Sequence, residues 1–195
     1  SKGIVLGTTI ENAFVPNVSA VTCTNPGPHK STLGFFNQDT ILDLVMTQCM
    51  GPDNITLFFG NASGDGGFVM DQTYAVGTNP TDITTGDFDG NGIADLIVSN
   101  FVSANPAGDV ISFSVLLGDK KAGFTLQSLP VSATDNLGND FADPSAVVIG
   151  LFGTDANLDI AIAYRGDNRV LVYTGNGDGT FTPKLDASGN IDSQP

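Results

Sequence analysis

Residues 86–96 of this chain read G-D-F-D-G-N-G-I-A-D-L, and the prediction of the fold starts from them. Their oxygen-bearing side chains stand at positions 1, 3, 5 and 9 of a short loop: Asp87, Asp89, Asn91 and Asp95. Side chains that alternate along a turning backbone converge on one point, and the carbonyl group of Ile93 at position 7 adds a further oxygen. Because Ca²⁺ prefers about six to eight oxygen ligands in a compact, adaptable geometry, the loop predicts a calcium site formed by these five residues.

An Asp-, Asn- and Gly-rich turn between two strands is the alternative interpretation of this loop. The regular spacing of its acidic residues, followed directly by a predicted buried strand, favours the metal site. Gly90 and Gly92 permit the positive φ angles that such a tight curl demands. An EF-hand is excluded, because that motif needs a glutamate at position 12 and flanking helices, whereas position 12 here is Val98 in a predicted strand.

Outward from the loop, the sequence repeats itself. A proline is followed six positions later by a glycine and nine positions after that by an aspartate, three times over: Pro28, Gly34 and Asp43; Pro80, Gly86 and Asp95; Pro144, Gly150 and Asp159. Two apolar runs follow each aspartate, and the second ends in a glycine, at Gly60, Gly118 and Gly175. A turn then leads to a phenylalanine, at Phe68, Phe124 and Phe181, which we expect to pack between neighbouring units.

Each unit contains four short runs rich in β-branched and aromatic residues, separated by Gly, Asn and Asp, and no segment has a sustained helical period. Repeated four-stranded units of this length are typical of β-propellers. We therefore predict an all-β fold of four-stranded antiparallel β-propeller blades, forming a partial propeller of about three to four blades. The repeat divides the chain into a remnant of a preceding blade and three blades: residues 1–27, 28–79, 80–143 and 144–195.

The two other copies of the acidic loop, residues 35–43 and 151–159, are degenerate. In the first copy Phe35 replaces the first aspartate, and in the third copy Leu151 and Gly153 replace the first two ligands. Calcium binding is correspondingly less expected there. Asp43 and Asp159 are instead predicted to cap the hairpin by accepting hydrogen bonds from backbone N–H groups.

Charge and composition exclude some classes of partner. Acidic residues outnumber basic ones 21 to 7, which gives a net charge of −14. Nucleic-acid binding and docking on anionic membranes both need an excess of Lys and Arg, and no apolar run approaches the ~20 residues of a membrane helix. Cys23 and Cys49 are compatible with one disulfide or with two thiols. The sequons at Asn17, Asn54 and Asn61 matter only in a glycosylating secretory pathway.

The pattern P-x5-G-D-F-D-G-N-G-x-x-D-L-x-V, followed by V-L-L-G and by G-N-G-D-G-T-F, resembles the FG-GAP/VCBS repeat of integrin α-subunit propellers and of many secreted bacterial proteins. The resemblance extends over residues 28–195 and is closest in the middle unit. It implies a seven-bladed propeller, an extracellular location, and calcium in the loop between the first two strands of a blade. Three units and a remnant cannot close such a ring. We therefore expect a larger chain, association between chains, or an open array.

The middle unit is longer than its neighbours, and the additional residues fall in 103–109 and 133–143. Because strand direction alternates, both connections are predicted at the end of the blade opposite the calcium loop. Enlarged loops on one face often mark a binding face, although drifting surface loops are an equal alternative. We expect a protein or glycan ligand there.

Three functions are compatible with these features. The first is an extracellular calcium-binding module for adhesion or ligand binding. The second is a structural subunit of a cell-surface appendage or filament, self-associating through open blade edges, and the third is the propeller portion of a secreted hydrolase or lyase. Catalysis by this chain is not expected, since the one histidine, His29, is predicted on the surface and no nucleophile motif or phosphate loop is present.

Overall fold

The computed structural model describes residues 27–49, 53–61, 66–101, 113–119, 121, 123–127, 143–184 and 193–194. Thirteen strands and no helices occur in this part of the chain. The strands are β1 (Gly27–Gly34), β2 (Asp43–Cys49), β3 (Asn54–Gly60), β4 (Phe68–Ala75), β5 (Pro80–Gly86), β6 (Asp95–Asn100), β7 (Phe113–Asp119), β8 (Gly123–Leu126), β9 (Pro144–Gly150), β10 (Asp159–Tyr164), β11 (Arg169–Gly175), β12 (Phe181–Pro183) and β13 (Ser193–Gln194).

The strands form three antiparallel sheets in which neighbours in sequence are neighbours in space. The first sheet has the order β1-β2-β3-β4, the second β5-β6-β7-β8 and the third β9-β10-β11-β12. The short strand β13 pairs with the start of β11, beyond the end of β12. The predicted all-β fold of four-stranded antiparallel blades is thus confirmed, and the described sheets do not close into a ring.

The sheets stack face to face, with the second sheet in the middle. One apolar core lies between the first two sheets and is centred on Val45, Leu57, Leu96 and Leu116. The other lies between the second and third sheets and is centred on Ile97, Val115, Ile160 and Tyr173. As a result every residue of β6 is buried, because this strand is covered on both faces. By contrast, the edge strand β4 is mostly exposed.

The first strands of the three sheets lie side by side. The hydroxyl group of Thr81 on β5 donates to the carbonyl oxygen of Pro144 on β9 at 2.8 Å, and the Val147 N–H donates to Asp82 Oδ2 at 3.0 Å. These hydrogen bonds join adjacent blades through polar groups that burial would otherwise leave unpaired.

The predicted packing of phenylalanines between blades is found at two positions. Phe124 lies between the first two sheets, in edge-to-face contact with Phe36. Phe181 packs against the core between the second and third sheets, in edge-to-face contact with Phe88. Such contacts add about 0.5–1.5 kcal/mol to the burial of apolar area. Phe68, the third of these residues, is only half-buried.

Several predictions concern residues beyond those described. Residues 1–26, which make up nearly all of the predicted remnant, lie outside the described part, as do Cys23, Asn17, residues 103–109 and residues 133–142. The strands that flank the enlarged connections are described. β6 and β8 run away from the acidic loop, so both connections leave the sheet at the opposite end. No described helix is long and apolar enough to cross a membrane.

Candidate metal centre

The acidic loop joins the first two strands of the middle sheet. β5 ends at Gly86 and β6 begins at Asp95, and these two residues face each other in the last register pair of the hairpin. The intervening residues 87–94 curl at the end of the sheet, with Gly90 and Gly92 at φ values of +73° and +82°. Residues with a Cβ atom rarely adopt such angles, so the two glycines have the backbone role predicted for them.

The curl brings three carboxylates together. Asp87, Asp89 and Asp95 each place one carboxylate oxygen within 4.8 Å of the others. Asp87 is exposed, Asp89 is half-buried and Asp95 is fully buried. Two unit charges about 4 Å apart near a protein surface repel by roughly 4 kcal/mol. The three carboxylates repel one another and offer only oxygen ligands, so the cluster can hold a metal ion.

Asp95 fixes the loop to the rest of the sheet. Its Oδ2 accepts the N–H of Phe88 in the loop at 2.6 Å, and its Oδ1 accepts the N–H of Gly118 in β7 at 2.7 Å. One buried carboxylate therefore joins the loop to the end of the third strand of the blade. We call this arrangement the aspartate clasp.

The charge state of Asp95 is perturbed by its surroundings. Burial raises the pKa of this carboxyl group to about 6, the two backbone N–H groups lower it, and the charges of Asp89 and Asp87 raise it further. Hydrogen bonds to the ionised form thus offset only part of the cost of desolvation. A cation beside the cluster would favour the ionised form and release a proton.

Asp87 and Asp89 accept hydrogen bonds from the loop itself. The two oxygens of Asp87 accept the N–H groups of Asn91 and Gly92 at 3.1 and 3.0 Å. Oδ1 of Asp89 accepts the Asn91 N–H at 3.0 Å. A carboxylate oxygen can accept more than one interaction, so these bonds order the loop and leave capacity for a cation.

Asn91 and Ile93 are placed differently from the acidic residues. The side-chain oxygen of Asn91 accepts the Ile93 N–H at 2.7 Å, and its amide group donates to Asp89 Oδ2 and to the Gly118 carbonyl oxygen, both at 3.0 Å. Asn91 is therefore in the cluster, but as a donor to a carboxylate. As a metal ligand it would turn its oxygen inward. Ile93 is buried through its side chain, and the role of its carbonyl group as a ligand stays a prediction.

The aspartate clasp recurs in the two degenerate loops. Asp43 accepts the N–H groups of Phe36 and Gly60 at 2.9 and 3.0 Å. Asp159 accepts the N–H groups of Phe152, Gly153 and Gly175 at 2.7, 2.7 and 3.0 Å, the first two on the same oxygen. These are the backbone hydrogen bonds predicted for the two aspartates. Among the described residues, the middle loop alone gathers three or more potential metal-binding side chains of His, Cys, Asp or Glu.

The glycines at or next to the end of the third strand of each blade were recognised in the sequence only as markers of the repeat. A Cβ atom at Gly60, Gly118 or Gly175 would lie closer than 3.0 Å to a loop carbonyl oxygen, that of Leu42, Ala94 or Leu158. These glycines let the loop backbone approach the third strand, which makes the clasp possible. Their regular recurrence is the signal from which this role could have been inferred.

His29, which the sequence predicted on the surface, is partly exposed. It lies half-buried in β1, and its Nδ1 atom is buried without a hydrogen-bond partner. Burial and the nearby charge of Lys30 lower the pKa of this imidazole, while Asp82 raises it. It lies on a first strand and not in the acidic loop.

Comparison with known families supports the repeat. Residues 36–98 match the family described as FG-GAP-like repeat. This chain carries an FG-GAP-like repeat. The match begins at the aromatic residue of the first loop and ends in β6, so it contains the whole acidic loop and confirms the resemblance inferred from the sequence.

Comparison with curated proteins and with solved structures gives little information about function. No curated protein sequence matches the chain. Among solved structures, it is similar to a lectin from Agrocybe aegerita described as recognising non-reducing terminal N-acetylglucosamine. The identity is 17%, the TM-score is 0.46, and the alignment covers 78% of this chain and 36% of the lectin. The chain thus spans about a third of the lectin's length, and a likeness at this level says nothing about its ligand.

Proposed function

We propose that this chain is an extracellular calcium-binding β-propeller module that mediates adhesion or binds a protein or glycan ligand, without catalytic activity of its own. The observation that carries the proposal is the cluster of Asp87, Asp89 and Asp95 in an FG-GAP-like repeat, with carboxylate oxygens within 4.8 Å of one another. The metal would stabilise the blade, and ligand recognition would fall to other surfaces.

The chemistry of the donors favours calcium among the common metals. The cluster offers only hard oxygen ligands, whereas zinc and copper sites use imidazole or thiolate groups. A loop whose carboxylates differ in exposure suits the irregular coordination of Ca²⁺ better than the strict octahedron of Mg²⁺. Extracellular modules bind calcium with a Kd of about 10⁻⁴–10⁻³ M, so an exposed site of this kind would be filled outside the cell.

The position of the loop supports a stabilising role for the metal. Asp95 is both a member of the cluster and the residue that joins the loop to β7. A bound cation would offset the repulsion around Asp95 and thereby stabilise the clasp. The enlarged connections, where we place the ligand, leave the sheet at the opposite end.

Calcium binding is tested by isothermal titration calorimetry on the wild type and on two matched variants. Asp89→Asn keeps the Oδ1 acceptor for the Asn91 N–H but removes a cluster charge. Asp155→Asn makes the same change in the third loop, where Asp155 Oδ1 accepts the Asn157 N–H at 3.1 Å. We expect Asp89→Asn to lose the calcium site and Asp155→Asn to keep it. A wild type that binds no calcium would refute the metal assignment.

The same variants give a second readout through thermal unfolding. At a calcium concentration of a hundred times Kd, the expected stabilisation is about 2.7 kcal/mol, or roughly 5–10 °C in Tm for a chain of this size. EDTA should remove the stabilisation from the wild type and from Asp155→Asn, and should leave Asp89→Asn unchanged.

Ligand binding requires its own experiment. The chain, loaded with calcium, is applied to arrays of glycans and extracellular matrix proteins. It is compared with variants in which residues 103–109 or 133–142 are replaced by a short Gly-Ser linker. We expect both variants to lose binding while they keep the calcium-dependent rise in Tm. Unchanged binding by both would place the ligand elsewhere, and the absence of any bound glycan or protein would count against a binding module.

A further inference from the structure

The sequence Gly-Asn-Gly occurs twice in the chain, around Asn91 in the acidic loop and around Asn176 in the turn between β11 and β12. Asparagine followed by glycine is prone to lose its side-chain amide, because glycine has no Cβ atom to hinder the approach of its own backbone nitrogen. Since both asparagines lie between two glycines, a difference between their rates of deamidation would come from the surrounding structure.

Deamidation of asparagine needs only water as a co-reactant. The nitrogen of the following glycine gives up its proton and forms a bond to Cγ of the asparagine, the bond between Cγ and Nδ2 breaks, and Nδ2 leaves as ammonia with a proton. Water then opens the five-membered succinimide at either carbonyl carbon, which gives aspartate or isoaspartate. Because the attacking nitrogen and the tetrahedral intermediate are both anions, a neighbouring negative charge opposes the reaction and a hydrogen-bond donor at Oδ1 favours it.

The acidic loop opposes this reaction at Asn91. The N–H of Gly92, whose nitrogen would attack, donates to Asp87 Oδ2 at 3.0 Å. A proton held by an anion is harder to remove, because the product would be a second negative charge beside the first. Repulsion between two unit charges this close, near a protein surface, exceeds the energy that corresponds to a roughly tenfold change in rate.

The side chain of Asn91 is also held at both ends. Its Oδ1 accepts the Ile93 N–H at 2.7 Å, and its Nδ2 donates to Asp89 Oδ2 and to the Gly118 carbonyl oxygen, both at 3.0 Å. Attack would make the planar Cγ tetrahedral and move both atoms, so it competes with these hydrogen bonds. The Ile93 N–H would stabilise the intermediate, but one neutral donor is outweighed by the carboxylate at the attacking nitrogen.

The turn that contains Asn176 lacks a comparable restraint on the attacking nitrogen. Asn176 is exposed, and the Gly177 N–H has no hydrogen-bond partner among the residues that the structure describes. Asn176 Nδ2 donates to the hydroxyl groups of Thr180 and Thr182 at 2.8 and 3.3 Å, and its Oδ1 accepts the Thr182 hydroxyl group at 3.4 Å. These hydrogen bonds are open to water, which can replace them, and the Thr182 hydroxyl group can stabilise negative charge on Oδ1.

The carboxylate in this turn has a different partner from that of Asp87. Oδ1 of Asp178 accepts the hydroxyl group and the N–H of Thr180 at 2.6 and 2.9 Å. These two hydrogen bonds lower the pKa of the Asp178 carboxyl group, which is fully exposed. Its charge is therefore screened by water and ions, and it accepts no hydrogen bond from the nitrogen that would attack Asn176.

We propose that Asn176 is a site of spontaneous deamidation, whereas the acidic loop protects Asn91. The product replaces a neutral amide by a carboxylate, and isoaspartate adds a methylene group to the backbone of the turn. This turn contacts the acidic loop through the Gly179 N–H, which donates to the Phe88 carbonyl oxygen at 3.1 Å. Deamidation therefore alters the contact between the third blade and the loop of the middle blade.

Peptide mapping by mass spectrometry tests both halves of the proposal. The chain is stored at neutral pH in EDTA, folded in one series and denatured in urea in the other, and chromatography separates the aspartate and isoaspartate products. We expect Asn176 to deamidate faster than Asn91 by about tenfold or more in the folded chain, and both to react at similar rates in urea. An Asn176 that stays intact in the folded chain while it reacts in urea, or equal rates at both sites in the folded chain, would overturn the proposal.

Variants test the cause of the protection. Asp87→Ala removes the carboxylate at the Gly92 nitrogen, and Asp87→Asn removes its charge but keeps an oxygen acceptor. Each should speed deamidation of Asn91 by on the order of tenfold and leave Asn176 unchanged. Asp178→Ala is the matched control, since it removes a carboxylate from the other turn and should leave Asn91 unchanged, and circular dichroism confirms that each variant is folded. An unchanged rate at Asn91 in both Asp87 variants would contradict protection by this carboxylate.

The outcome is independent of the proposed calcium site. Every series contains EDTA, so a wild type that binds no calcium could still deamidate at Asn176 and spare Asn91. Conversely, a chain that binds calcium but deamidates equally at both asparagines would refute the present proposal alone.

Discussion

The loop of the middle blade and the loop of the third blade share a backbone and differ in charge. In both, an aspartate at the start of the second strand accepts N–H groups from the loop and from a glycine at the end of the third strand. In the third loop one oxygen of Asp159 accepts two N–H groups, those of Phe152 and Gly153. In the middle loop the equivalent oxygen of Asp95 accepts one, and two further carboxylates stand beside it.

This difference separates the residues that fold the blade from those that would bind a metal. The clasp occurs in all three blades and needs one aspartate and one glycine. The proposed metal site has additional carboxylates, and these repel one another and Asp95. In the third loop, Leu151 and Gly153 stand where the middle loop has carboxylates, so this repulsion is absent. A second backbone N–H, that of Gly153, donates to Asp159 and stabilises its charge.

The largest expected effect comes from breaking the clasp in either loop. Asp159→Ala leaves three backbone N–H groups without their acceptor, and Asp95→Ala leaves two. We expect each to lower the free energy of unfolding by about 2–5 kcal/mol, measured by urea denaturation in EDTA. Asp155→Ala, in the exposed part of the third loop, should change it by no more than about 0.5 kcal/mol. A neutral Asp95→Ala would mean that Asp95 serves the metal alone.

The third loop can be given the carboxylates that it lacks. A Cβ atom at Gly153 would lie 3.4 Å from Asp159 Oδ2 and 3.9 Å from Asp155 Oδ1, so the site has room for an aspartate beside both. The double variant Leu151→Asp, Gly153→Asp should bind a second calcium ion. The added stabilisation should approach about 2.7 kcal/mol at a hundred times Kd. Calorimetry that still gives one ion per chain would show that the loops differ in more than charge.

A smaller effect is expected from the glycines that let the loops approach the third strand. Gly118→Ala and Gly175→Ala each place a Cβ atom against a loop carbonyl oxygen, that of Ala94 or Leu158. The resulting shift should cost about 1–3 kcal/mol in either blade, measured by thermal unfolding. Gly123→Ala is the control, because its Cβ atom would meet only the side chains of Tyr74, Asp119 and Gln72, at 3.4–3.9 Å and in ordinary contact. A cost in one blade alone would refute an equivalent role for the two glycines.

The smallest expected effect is the pH dependence of the middle loop. Because the pKa of Asp95 is raised to about 6, protons compete with calcium below that pH. Calcium affinity should be constant above pH 7 and fall by up to about tenfold per pH unit below 6. Without metal, a rise in pH has the opposite effect. Because the carboxyl pKa is raised in the folded state, the folded state loses stability as pH rises from about 4 to 6. Titrations at pH 5, 6, 7 and 8 check this, and a constant affinity down to pH 5 would contradict it.

The architecture and the composition of the loops could be predicted from the sequence. The spacing of proline, glycine and aspartate predicted four-stranded blades, because strands of fixed length and tight turns repeat at fixed intervals. The alternation of Asp87, Asp89, Asn91 and Asp95 predicted a cluster of oxygens, because alternate side chains of a curled backbone point inward. The hydrogen bonds of Asp43 and Asp159 to backbone N–H groups were predicted on the same local grounds.

Properties that depend on contacts between distant segments became visible only in the folded chain. The raised pKa of Asp95 comes chiefly from burial, which no local pattern reports. The need for glycine at position 118 arises from the approach of a carbonyl group 24 positions earlier in the chain, at Ala94. Phe36 and Phe152 occupy equivalent places in the repeat, yet one is buried and the other is half exposed. A repeat specifies each blade, whereas stacking determines which of its equivalent faces remain in contact with water.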